Sequence, residues 1–278
     1  SQVDGSYSIN VIETSIVTFS HIGFNDVSVL ANTIASIIQM NSTMIDGKKI
    51  IVKAELGTQN LFNVPSSITI LNNRELEFKN DNHFQNLIDL IPNLNYAGGT
   101  SRPRYFQIRG IGERSQYVGE GAPNFSVGFM VDGIDFSGIG MTGMLFDMQQ
   151  IEVFKGPQSS IYGPNAIAGL INITSAQPTP YIAGKSMISI GSDNQKLAGF
   201  AVGGPLSSKL LFRFAFQKHS QNGFRENVFK NLTNTNKRNE MYTRIKLNWS
   251  ITPIVNLHFV SFNSNLNNGY DVWSVDNN

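Results

Sequence analysis

Residues 151–173 read IEVFKGPQSSIYGPNAIAGLINI. Two short apolar runs, Ile151–Phe154 and Leu170–Ile173, have the β-branched composition of buried strands. Between them stand Gly156, Pro157, Gly163, Pro164 and Gly169. Glycine admits positive φ and close backbone approach, and proline fixes φ while removing a donor. That mixture, between strands little more than a dozen residues apart, specifies a compact turn of defined shape and not a flexible linker.

Outward from this stretch, residues 65–178 read as mixed α and β. Ser66–Leu71, Phe106–Arg109 and Val127–Val131 are further strands, while Asn73–Phe78 and Asn82–Leu90 are short helices, the second stopped by Pro92. From Tyr181 the pattern changes to long two-residue alternation. In Leu210–His219 one face carries Leu210, Phe212, Phe214 and Phe216, and the other carries Arg213, Gln217 and His219. In Met241–Trp249, Met241, Thr243, Ile245, Leu247 and Trp249 oppose Tyr242, Arg244, Lys246 and Asn248. Strands of about ten residues with one greasy and one charged face suit a transmembrane barrel, although alternation alone also fits a sandwich with a wet face. The connections favour the barrel: those at 203–208 and 250–253 are short, and that at 219–240 is long, polar and rich in Asn, as short inner turns and long outer loops would be. Five strands are expected, near 183–191, 195–204, 209–219, 239–249 and 254–264. Before residue 65, residues 1–45 alternate like small antiparallel strands (Ser6–Val11, Ile16–Ser20, Val27–Leu30, Ile34–Met40), and 46–64 form a hinge around the extended run Lys49, Ile50, Ile51, Val52, Lys53, Ala54.

The chain has 278 residues, of which 41% are hydrophobic and only 15% charged, a net charge of +1 and no Cys. Near-neutrality without a Lys/Arg-rich run argues against nucleic acid as a partner. The lack of Cys removes disulfides, thiolate metal sites and Cys nucleophiles. No apolar run reaches the ~18 residues of a transmembrane helix. The run Gly138–Gly143 matches G-x-G-x-x-G, but the next strand begins eight residues later and leaves no room for a dinucleotide-binding helix. Lys155 precedes Gly156, so there is no P-loop. The four His residues show no metal-ligand spacing, Ser159-Ser160 lacks a nucleophile elbow, and Asp132 and Asp135 beside Gly133 suggest turn residues bonding their own backbone. No reaction centre, cofactor or metal site emerges, and the expectation is a protein that is not an enzyme.

Taken in order, Arg109-Gly110 after a strand, Val131-Asp132-Gly133, Ile151–Pro157, Tyr162-Gly163 and Ala166–Ile173 closely resemble the plug domain of TonB-dependent outer-membrane receptors, over about residues 60–178. Residues 179–278 look like the first strands of that family's barrel. Asp4–Ile9 with Val17–Phe24 resembles the end of a carboxypeptidase-regulatory-like β-domain, which precedes the plug in many Bacteroidota members. The expected fold is therefore an α+β plug domain (65–178) followed by antiparallel transmembrane β-barrel strands of an incomplete barrel, with a small β-sandwich remnant at 1–45 and a linker at 46–64. Five strands cannot enclose a plug or leave an unpaired edge in hydrocarbon, so the chain is expected to be a piece of a longer receptor.

The resemblance implies roles for particular residues. Lys49, Ile50, Ile51, Val52, Lys53 and Ala54 lie where the family carries its TonB box, the strand that pairs with a TonB-type energy-transducing protein, and are expected to be extended and poorly packed. Family ligands meet plug loops that rise towards the outer surface. Here that implies Glu113, Arg114, Gln116 and Tyr117 in the loop 111–124, with Arg102, Arg104 and Phe136, as ligand contacts. Arg109, Glu152 and Lys155 would anchor plug to barrel, Lys155 replacing the family's usual Arg and so a bidentate fork by a point charge. The implied function is active uptake of a scarce nutrient across the outer membrane of a Gram-negative bacterium, the plug facing the barrel lumen and periplasm. A ferric siderophore or similar metal chelate suits the basic tip best, with cobalamin, an oligosaccharide or a periplasm-signalling role as alternatives. Its partners would be that transducer, a small-molecule ligand and outer-membrane lipid, with no cofactor.

Overall fold

The computed structural model describes residues 8–21, 24–34, 37–41, 51–52, 59–60, 64–79, 83–97, 102, 105–113, 125–139, 144–229 and 231–269. The chain divides into two compact units, Ser1–Ile51 and Val52–Asn278.

In the first unit, β1 (Ile16–Phe19) and β2 (Val27–Leu30) form an antiparallel hairpin in the register Ile16↔Leu30 to Phe19↔Val27. The described parts of the two other expected strands, 8–11 and 37–40, are not strands. Their apolar side chains do not point into a core: Ile9, Val11 and Ile37 are exposed, so alternation there reflects composition and not a buried face.

The boundary between the units falls within the two-residue strand β3 (Ile51–Val52), which pairs with β4 (Gln59–Asn60). An α+β domain follows. β5 (Ile68–Asn72) runs into α1 (Asn73–Lys79). Asn72 makes that junction: its Oδ1 accepts from the Arg74 and Glu75 amides at 3.0 and 3.2 Å, and Glu75 Oε2 accepts from the Asn72 amide at 2.8 Å. This reciprocal pattern is a capping box. The second short helix, expected over Asn82–Leu90, is a 3-10 helix at Phe84–Leu90 opened by His83, whose Nδ1 accepts from the Gln85 amide. β6 (Leu94–Ala97) and β7 (Tyr105–Ile108) form a separate hairpin. β8 (Val127–Val131), β9 (Ile134–Asp135), β10 (Met148–Phe154) and β11 (Gly169–Ser175) join β5 in one sheet, in the order β5-β10-β11-β8-β9. β10 and β11 lie antiparallel at its centre, Ile151 opposite Ile173. Both are covered on both faces, which is why they read as continuous apolar runs. The segment joining them holds α2 (Ser159–Tyr162) and a 3-10 turn, Pro164–Ala166. Gly169 has φ 158°, and a Cβ there would stand 2.3 Å from the Phe154 carbonyl oxygen, so only glycine lets β11 start against β10. Beside this sheet the rings of Phe84, Phe106 and Phe129 pack with centroids 5.4–5.7 Å apart.

The remaining strands are β12 (Ala183–Gly191), β13 (Gln195–Ser207), β14 (Leu210–Gln221), β15 (Arg225–Asn227), β16 (Leu232–Thr235), β17 (Arg238–Thr252) and β18 (Val255–Leu266). Five of them form an antiparallel sheet, β12-β13-β14-β17-β18, whose edges β12 and β18 do not meet, and β15–β16 is a small hairpin within the connection from β14 to β17. Alternation along these strands sorts the side chains by face. Ile188, Phe200, Ile245, Trp249 and Phe259 point outward and are exposed, whereas Arg213, Gln217, His219, Glu240, Arg244 and Lys246 point inward and are buried. Apolar outside and polar inside is the inverse of a soluble sandwich and the arrangement of a membrane barrel wall. Phe200 packs between Phe214 and Phe216 on the outward face. Inward, Ala201, Ala215 and Gly199 keep the wall thin, and a Cβ on Gly199 would touch the Phe146 ring at 3.1 Å. The wall thus closes over the α+β domain, whose core is continuous with Ala201, Ala215 and Tyr242.

Candidate functional site

Charged side chains meet at the joint between the α+β domain and the inner face of the sheet. Asp147 sits in the turn before β10 with φ 60°, a left-handed conformation that Asp tolerates. The turn presents its carboxylate, 1% exposed, to two cations of the wall. Arg213 Nε donates to Asp147 Oδ2 at 2.7 Å and Nη2 completes a fork on Oδ1. Arg244 Nη2 donates to the Asp147 carbonyl at 2.9 Å and lies 3.3 Å from Oδ2. Asp132, also left-handed at φ 50°, accepts from the Ser175 amide at 2.9 Å and hydroxyl at 2.6 Å and from Lys246 Nζ at 2.7 Å. The third pair has the opposite polarity. Arg102, on the connection before β7, donates from Nε and Nη2 to Glu240 of β17 at 2.7 and 2.5 Å. Asn268 Nδ2 donates to the same carboxylate at 2.7 Å, and His219 Nδ1 lies 3.5 Å from it. Buried charges persist only when paired and hydrogen-bonded, and every one of these is. Chemically the joint is a set of seats that fixes one docking register and contains no bond-breaking constellation.

Several residues fall elsewhere than the sequence led us to expect. Arg102 was expected at a ligand-facing tip; instead it is 3% exposed and engaged by Glu240, because a buried fork needs its carboxylate. Phe136, also expected to meet ligand, is half-buried against Phe262 of the wall at 5.7 Å, edge to face. Glu113 closes the base of its loop: Oε1 accepts from the Ser126 amide and hydroxyl at 2.9 and 2.7 Å. Arg104, Arg114, Gln116 and Tyr117 lie outside the described residues. Of the expected anchors, Glu152 is fully buried inside the sheet, accepting from Gln150 Nε2 and Asn172 Nδ2 at 2.7 and 2.9 Å. Arg109 is exposed, with φ 54°, and near Lys155. Partial burial, and then the like charge of Arg109, lower the Lys155 pKa from its ordinary value. Among the described residues neither cation has an ion-pair partner.

Of the expected energy-coupling strand, Lys49, Ile50, Lys53 and Ala54 lie outside the described residues. Ile51 and Val52 are extended as expected, but Val52 is not poorly packed: it is fully buried with Phe154 and Leu170. Asp135 does bond its own turn, accepting from the Ser137 amide. Asp132 does more than that, and it and Asp147 escaped the sequence reading as anchors. The available signal was the cation row Arg213, Arg244 and Lys246 on inward faces, which demanded buried carboxylates opposite.

Residues 60–170 match the TonB-dependent receptor plug domain. Among curated relatives, the ferrioxamine B receptor of Salmonella typhimurium is 24% identical over 71% of this chain and 27% of its own length. A vitamin B12 transporter of Vibrio vulnificus is 24% identical over 68% of the chain and 30% of its own. The chain spans about a third or less of the length of the curated relatives it matches. Among solved structures, the ferric yersiniabactin uptake receptor of Yersinia pestis superposes with a TM-score of 0.59 at 22% identity, over 66% of this chain and 29% of that one.

Proposed function

From a chain that belongs to the TonB-dependent receptors, its plug domain seated on antiparallel strands of the receptor barrel, we propose that the whole protein is an energised outer-membrane receptor that takes up a scarce nutrient, a ferric chelate first among the candidates. The observation that carries this reading is the joint: a folded α+β domain held against the polar inner face of a sheet whose other face is apolar. In such a receptor β12, β13, β14, β17 and β18 cross the membrane, the long connection 222–237 faces outward and the turns at 208–209 and 253–254 face the periplasm. The loop whose base Glu113 closes supplies the ligand tip, Arg114, Gln116 and Tyr117 giving charge-assisted bonding, hydrogen bonding and stacking, with Arg104 nearby in sequence. A TonB-type partner pairs with the strand around Ile51 by β-augmentation.

The test uses the full-length receptor in a deletion strain, with radio-iron-labelled ferrioxamine B as probe and cyanocobalamin as competitor. Accumulation should require the receptor and the transducing protein, and cyanocobalamin should not compete. Competition would favour the second candidate, which the match to a vitamin B12 transporter supports. Arg114→Ala with Tyr117→Ala should weaken binding at least about tenfold, since losing a charged partner of a desolvated ligand costs ~2–5 kcal/mol. Ile51→Pro, which removes a backbone donor, should abolish uptake and spare binding.

A further inference from the structure

The outward face of the wall changes character along a line. Followed outward from Leu206, Leu210, Trp249 and Leu257, each strand is free of polar side chains on that face at first. The first polar one met is Lys196 on β13, Lys218 on β14, Thr243 on β17 and Ser261 on β18. Lys196 is the cross-strand partner of Ser220, Lys218 of Met241 and Thr243 of Asn263. Each border residue therefore lies one same-face step from the last. An oblique straight border is what tilted strands present to a flat bilayer. One apolar side chain, Met241, stands beyond it.

Lys196 and Lys218 sit on this border as diagonal neighbours, about 7–8 Å apart. Lys218 Nζ donates to Asn239 Oδ1 at 2.6 Å, one step further out, which turns the ammonium away from the apolar side. On β12, β13, β14, β17 and β18 these are the only charged residues that face outward, and no carboxylate shares their face. The inward cations differ: Arg213, Arg244 and Lys246 each meet a carboxylate of the α+β domain. Among the described residues neither outward lysine has an ion-pair partner. A lysine beside an apolar band lays its methylenes along that band and lifts its charge to the headgroup level. Any partner must also reach the border from the apolar side, which a lipid does and a soluble protein does not.

We propose that Lys196 and Lys218 form a docking surface for the phosphate of an anionic outer-leaflet lipid, whose acyl chains lie along Phe200 and Phe216. These two rings already pack together, with centroids 5.7 Å apart, directly below the lysines. Phosphate offers several charged oxygens that two separate ammonium groups can share. The inference rests on the outer-membrane reading above and is independent of which nutrient the receptor carries.

The test places the full-length receptor in phosphatidylcholine nanodiscs containing a little lipid A, in its phosphorylated or its dephosphorylated form. Lipid retained on the receptor is then counted by native mass spectrometry. The phosphorylated form should be retained at least about tenfold better, as two lysines beside an anionic headgroup provide. Lys196→Gln with Lys218→Gln should bring the two forms within about twofold of one another. Equal retention by the wild type, or an unchanged preference in the double variant, would overturn the proposal. Inorganic phosphate should displace no more lipid than sodium chloride of the same ionic strength; greater displacement would mean that the lysines take a free anion, and overturns it too. If the double variant does not insert, Lys196→Gln alone decides, at the more exposed position: a fall of about threefold is expected, and no fall is fatal. A receptor that never enters the disc overturns the outer-membrane reading together with this inference, whereas one that inserts and shows no preference overturns this inference alone.

Discussion

Phe84, Phe106 and Phe129 inside the plug, and Asp147, Arg213 and Arg244 between plug and wall, are all nearly or wholly buried. The first set packs ring against ring; the second holds charge against charge. The two regions have different tasks. Apolar burial is non-directional and stabilises any close-packed arrangement, so it suits a domain that must stay folded. A buried ion pair adds little net stability over an apolar contact but penalises every misaligned register, because a displaced partner leaves a bare charge in low dielectric. The joint therefore defines where the plug sits more than how strongly it is held.

The largest expected effect would break this contrast at its centre. Asp147→Ala removes the carboxylate that Arg213 and Arg244 share, and removing one partner of a buried pair costs about 3–5 kcal/mol. The plug should stay folded yet unseated, seen as protease cleavage between wall and plug with the plug fragment itself resistant. Loss of the whole plug to protease would mean that the joint also holds the domain together. Ile173→Ala makes the complementary change, opening a cavity in the central strand at a cost of about 3 kcal/mol. Here the plug itself should become protease-sensitive while the barrel strands keep their protection. Lys246→Met should cost less, about 1–2 kcal/mol, since Asp132 keeps its two bonds from Ser175. A modest fall in the denaturation midpoint measures it, and a collapse as large as that of Asp147→Ala would show that Lys246 and Arg244 act as one unit. The smallest change is Lys185→Ala. Its pair with Glu77 spans 3.4 Å between half-exposed side chains, and exposed pairs contribute about 0–1 kcal/mol. The midpoint should move little, and less again at high salt.

How much of this was legible beforehand depended on distance along the chain. The Gly/Pro segment and the two-residue period of β14 and β17 act within a few residues, through backbone sterics and side-chain direction. From them follow the α+β domain, the amphipathic strands, their short and long connections and the resemblance to a plug. The inward row Arg213, Arg244 and Lys246 was visible as well, as cations on the wrong face for lipid. Its partners were not. Arg102 and Glu240 are 138 residues apart, Lys246 and Asp132 are 114, and Arg213 and Asp147 are 66. No local preference marks Asp147 or Asp132 as a seat: both look like ordinary turn residues, and only the closing of the wall over the plug turns their carboxylates inward and makes a partner obligatory. The same closing took Arg102 from an expected ligand tip into a fork and buried Val52 beside Phe154. The sequence by itself determined which segments form the long strands of the wall, which face of each is greasy and where the chain must turn between them, because those are properties of neighbours in the chain. Tertiary structure alone decided which charges meet, because burial sets the cost of an unpaired charge and burial is a property of the assembled layers.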